Sequence, residues 1–89
     1  MLARRVRITG LVQGVFFRAW TREEAKRLGL VGWVRNCADG SVEAHIEGDP
    51  GMVRWMIDKL AYGPKGARVD GCEARDVEPE NLKAFEIRP

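Results

Sequence analysis

The chain has one histidine and two cysteines, and no apolar run approaches the ~20 residues that cross a bilayer. His45 has no second histidine and no cysteine at ligand spacing, so zinc is not expected. Cys37 and Cys72 form no C-x-x-C pair, and two such thiols in a cytosolic chain read as free. Cys37 fits a spacer in a turn and Cys72 a small buried hydrophobe. The net charge of +2 is too small to argue for nucleic acid by itself. Arg4, Arg5 and Arg7 have no hydrophobic stretch behind them, so no secretory signal is expected and the cytoplasm is the default location. With 89 residues, 45% of them hydrophobic, the expectation is one small domain over residues 1–89 with a single core. A monomer is the simplest reading, with no membrane partner.

What is present alternates in period. Arg4 to Thr9 places Val6 and Ile8 on one face and Arg5, Arg7 and Thr9 on the other, a half-buried strand. From Phe17 to Leu28, Phe17, Trp20, Ala25 and Leu28 recur at helical spacing, with Gly29 as the stop. Val31 to Asn36 and Ser41 to Glu47 read as strands joined at Asp39-Gly40. A second helix has Asp49 as N-cap, Pro50 as its first residue and Gly63-Pro64 as its end. Val53, Met56, Ile57 and Leu60 form its apolar stripe, with Met52 and Trp55 read as flanking packing residues. Ala67 to Val77 is a long strand with Gly71 as a bulge, and Phe85 and Ile87 mark a short terminal strand.

The order strand, helix, strand, strand, helix, strand predicts an α+β fold, the ferredoxin-like split βαβ. An antiparallel sheet then carries two helices on one face. In that topology the first two strands run parallel on either side of the third. Their C-terminal ends share an edge, which brings Asn36 close to residues 10 to 18.

Residues 10 to 18, Gly-Leu-Val-Gln-Gly-Val-Phe-Phe-Arg, join the first strand to the first helix. Glycines let successive N–H groups turn toward one anion, and a helix start adds unpaired N–H groups and partial positive charge. Arg18 contributes a planar fork of donors suited to phosphate. No Lys-Ser or Lys-Thr pair follows Gly14, and the glycine spacing does not fit a dinucleotide fingerprint, so no nucleotide cofactor is implied. On spacing alone, a phosphate cradle and an ordinary glycine turn with a surface arginine are both compatible. On its own, Asn36 reads more readily as a turn residue before Asp39-Gly40, since asparagine favours turns.

The segment Gly10-Leu11-Val12-Gln13-Gly14-Val15-Phe16-Phe17-Arg18 resembles the first signature of the acylphosphatases. Gly32-Trp33-Val34-Arg35-Asn36, followed by Gly40-Ser41-Val42 and Gly48, resembles the second. Phe16 falls where the first signature varies, and Lys65 stands where such chains often have proline. The resemblance spans essentially the whole chain. It implies hydrolysis of acyl phosphates to a carboxylate and inorganic phosphate. It also implies that Arg18 and the N–H groups of Gln13, Gly14, Val15, Phe16 and Phe17 hold the phosphoryl group, and that Asn36 orients the attacking water.

So sparse a site suits that chemistry. The departing carboxylate has a conjugate acid of pKa roughly 4 and needs no general acid. Phosphoryl transfer through a loose transition state asks mainly for positioning and charge stabilisation. No metal is called for. The same fold order also serves RNA-recognition modules, which stack bases on aromatic residues of an open sheet face. Here that face is expected to carry Arg5, Arg7, Thr9, Glu43, His45 and Glu47, an exposed lattice of surface charge pairs without an aromatic.

Overall fold

The computed structural model describes residues 1–89. The elements are β1 (Leu2–Leu11), α1 (Phe17–Arg27), β2 (Val31–Asn36), β3 (Val42–Gly48), α2 (Pro50–Tyr62), β4 (Arg68–Asp76) and β5 (Phe85–Ile87). They build one sheet in the order β4-β1-β3-β2-β5. The pairs β1·β3, β1·β4 and β2·β3 are antiparallel, whereas β5 adds to β2 in parallel. The split βαβ is therefore present with a parallel edge, and the sheet is mixed rather than wholly antiparallel.

Alternation along the strands sends one set of side chains under the helices. Val6 and Ile8 of β1, Val34 of β2 and Ala44 and Ile46 of β3 are fully buried there. They meet Phe17 and Ala25 of α1 and Val53, Met56 and Leu60 of α2. Helical spacing of these apolar residues, rather than propensity alone, explains why both helices dock on one face. Asp49 caps α2 by accepting the Met52 N–H, with Pro50 at the first helical position. Thr21 joins the core because its hydroxyl donates to the Phe17 carbonyl at 2.8 Å, which satisfies the one polar atom that burial would penalise.

Four expectations change. Met52 and Trp55 are exposed, Trp55 by 51%, because both project from the α2 surface beside the buried stripe. The β4 irregularity falls at Asp70, where the register steps from Thr9↔Gly71 to Gly10↔Val69; Gly71 flanks it. Cys72 is half-buried rather than buried, and burial and then Asp58 push its thiol pKa up.

The largest change concerns the second sheet face. His45 and Glu47 are completely buried, not surface charges. The sheet order supplies the reason: β4 and β5 lie at opposite edges, so the connecting residues 77–84 cross the face. Glu47 accepts N–H groups from Glu80 and Leu82 in that strap and bonds His45 Nε2 at 2.9 Å. Trp33 of β2 stacks on His45 at 5.9 Å. An aromatic does sit on this face, but at 6% exposure and with Arg5, Arg35 and Arg88 over its ring it offers no platform for a base.

Candidate active site

Between β1 and α1 the chain turns with two left-handed residues. Gly14 has φ +74°, with open space where a Cβ would lie, so conformation rather than crowding favours glycine. Phe16 has φ +60° and ψ +25° and forms the N-cap of α1. The first helical bond is Trp20 N–H to the Phe16 carbonyl at 3.0 Å. From Gln13 to Ala19 no main-chain N–H donates within the chain.

The start of α1 has neither a side-chain cap nor an acidic residue in its first turn, in contrast to the capped α2. Both absences leave unpaired donors and uncompensated dipole at this one helix end. The second helical residue is Arg18, half-buried, and its guanidinium forms no ion pair with any carboxylate of the chain.

Asn36 arrives by register. It pairs with Val42 of β3, and Val42 pairs on its other side with Ile8 of β1. The ends of β1 and β2 thus lie two strands apart at one edge, as the topology predicts. Arg18 and Asn36 line one cleft of about 440 Å³, with Gly14 and Phe16 on the loop side and Val12, Phe17 and Ile87 as apolar lining. The Asn36 Oδ1 is buried and has no hydrogen-bond partner. A buried amide oxygen left unpaired costs free energy unless a donor reaches it.

A tether joins the loop to the β2–β3 hairpin. The Gln13 side-chain amide donates to the Cys37 carbonyl at 2.8 Å and to the Ser41 carbonyl at 2.9 Å. Inside the hairpin, Cys37 N–H donates to Ser41 carbonyl at 2.8 Å. Asp39 accepts from the Ser41 hydroxyl and N–H and from Arg7, and these bonds hold its carboxyl well below the usual range.

The loop residues Gln13, Gly14, Val15, Phe16, Phe17 and Arg18 therefore sit as one turn and helix start, and Asn36 shares the cleft with Arg18. Sequence reasoning missed the Gln13 tether, because a glutamine bonding two hairpin carbonyls has no spacing signature. It also missed Ile87. The signal for Ile87 lay in the pairing of β5 with β2, which sets Ile87 opposite Val34, two residues before Asn36.

The cleft is lined by loop residues with unpaired main-chain N–H groups, by Arg18 and by Asn36, with no carboxylate or imidazole among its lining residues. No group of three or more His, Cys, Asp or Glu residues is arranged to hold a metal ion. Fold and cleft define a class: a ferredoxin-like domain whose first strand-to-helix loop, with unpaired main-chain N–H groups, lines a cleft shared with the end of the second strand. The Acylphosphatase family model matches residues 4–87. The chain is 64% identical over 81 residues to an acylphosphatase of Rhizobium meliloti, covering 91% of this chain and 80% of that one. Its structure is similar to that of an acylphosphatase from Bacillus subtilis, with TM-score 0.97, 31% identity and 100% of both chains covered. It also matches 12% of the length of full-length HypF, with 99% of this chain covered, 27% identity and TM-score 0.89. The chain belongs to the acylphosphatase family, hydrolases acting on acyl phosphates.

Proposed function

We propose that this protein hydrolyses the carboxyl–phosphate bond of acyl phosphates, using only its own main chain, Arg18 and Asn36. The phosphoryl oxygens take hydrogen bonds from the N–H groups of residues 13–17 and from the Arg18 guanidinium, which meets two oxygens at once. The Asn36 Oδ1 accepts a hydrogen bond from water, which turns a lone pair of the water oxygen toward phosphorus. The water oxygen–phosphorus bond forms as the phosphorus–carboxyl oxygen bond breaks, and the carboxylate leaves with the electron pair. The water proton passes to a phosphoryl oxygen, since no general base lines the cleft. Charge on the equatorial oxygens is met by preorganised donors, so no divalent ion is required.

The observation that carries this reading is the shared cleft of an unpaired Arg18, an uncapped helix start and an unpartnered Asn36 oxygen. A core of its own supports action as a single-domain monomer over residues 1–89. No helix is long and apolar enough to cross a membrane, and we place the activity in the cytoplasm with a small-molecule substrate and no nucleic acid partner. The test is phosphate release from a simple aryl acyl phosphate, with inorganic phosphate as competitor. Turnover with competitive inhibition by phosphate is expected. A folded chain that binds phosphate without releasing any from the substrate would be a binding module instead.

A further inference from the structure

Phe16 is the most anomalous residue of the cleft. It is a bulky side chain in the left-handed region, with φ +60°, where non-glycine residues are uncommon and strained. It is also 87% exposed, so no burial offsets the strain. The backbone angle is explained by the turn into α1, but glycine would supply that angle without the ring. Phe16 lines the cleft together with Val12, Phe17 and Ile87. Arg18, Asn36 and the main-chain donors account for the phosphate and the water. Val12 and Phe17 belong to the buried core, which leaves Phe16 and the half-buried Ile87 as apolar surface of the cleft that neither the polar groups nor core packing alone accounts for.

We propose that Phe16 is the specificity-determining residue for the acyl group, and that Phe16 with Ile87 forms a subsite for apolar, preferentially aromatic, acyl chains. The proposal rests on the acyl phosphate reading above and adds the substrate class to it. With the phosphoryl group on the N–H groups of the loop, the acyl carbon projects into the rest of the cleft. There an exposed ring gains contact with an apolar chain and sheds its water, and an aromatic chain adds ring-to-ring attraction. These contacts exist equally in ground and transition states, so they act on KM more than on kcat.

The experiment compares kcat/KM for an aryl acyl phosphate and for acetyl phosphate in the wild type, Phe16→Gly, Phe16→Trp and Ile87→Ala. Phe16→Gly keeps the left-handed angle available and removes the ring; the backbone freedom it adds to the phosphate loop acts on both substrates alike, so the substrate ratio is what is read. Intrinsic leaving-group differences between the two substrates cancel when the aryl-to-acetyl ratio is compared across variants. That ratio is expected to fall about tenfold or more in Phe16→Gly, through a raised KM for the aryl substrate. It is expected to fall less in Ile87→Ala and to be retained in Phe16→Trp. An unchanged ratio in both Phe16→Gly and Ile87→Ala, or an equal loss on both substrates, would overturn the subsite. Absence of turnover on either substrate by the wild type would instead remove the acyl phosphate reading itself.

Discussion

At position 18 a guanidinium stands where a helix start favours a carboxylate. The helix dipole disfavours a cation there by about 0.3–1 kcal/mol, a cost that a bound anion would offset, and Arg18 forms no ion pair with a carboxylate of its own chain. Because its fork meets two oxygens in one plane, lysine is not a conservative replacement. Arg18→Lys should lower kcat/KM by about 100-fold or more and weaken inhibition by phosphate in parallel, with an unchanged circular dichroism spectrum. Near-normal kinetics would remove the assignment. Asn36 differs in kind. An amide that orients water acts on the chemical step, so Asn36→Ala should depress kcat by roughly 10²–10³ and leave KM within a few-fold. A variant that lost affinity and kept its kcat would make Asn36 a substrate ligand. The resemblance singles out both residues, and the strand order alone brings Asn36 beside the loop. The unpartnered state of the Asn36 oxygen was not legible in the sequence, because it depends on what the fold fails to place beside it.

The elements hold those residues through two connections. Gln13 ties the loop to the β2–β3 hairpin, and residues 77–84 strap the second face and deliver β5 beside β2. Gln13→Leu leaves two hairpin carbonyls without their donors, which should cost about 1–3 kcal/mol in urea denaturation. Activity should fall at least tenfold, because Asn36 and the loop lose their common reference. A stable, fully active Gln13→Leu protein would show that the tether is not what positions the site. Element types and order were legible from periodicity: the runs around Val6 and Ile8, the stripe Val53, Met56, Leu60, and the Asp49-Pro50 start. The fate of His45 and Glu47 was not, since alternation assigns a residue to a face without saying what covers that face. The missing fact was the parallel pairing of a three-residue strand, Phe85–Ile87, which obliges the strap to cross the sheet.

For the molecule as a whole, the buried His45–Glu47 pair under that strap links stability to pH. Burial pushes the Glu47 carboxyl up, but hydrogen bonds from His45 and from the Leu82 and Glu80 N–H groups outweigh it, and the net shift is below the ordinary 4.5. A carboxyl depressed in the folded state stabilises fully above its unfolded value, and that contribution is lost as pH falls through the folded one. Unfolding free energy should therefore decline as pH drops below about 4.5, and less steeply in Glu47→Gln. Glu47→Ala, which leaves His45 Nε2 and two strap N–H groups without their acceptor, should cost about 1–3 kcal/mol for each buried donor left unmet. A flat acid profile in the wild type would mean that the pair does not anchor the strap. Charge neutralisation in the cleft likewise belongs to the whole fold, which brings the helix start, Arg18 and Asn36 to one edge without a carboxylate among them. The most direct measurement of that claim is phosphate release from an aryl acyl phosphate by the purified protein after exhaustive chelation with EDTA. Undiminished turnover that magnesium and zinc do not raise is expected; turnover abolished by chelation and restored by either ion would overturn a metal-free cradle.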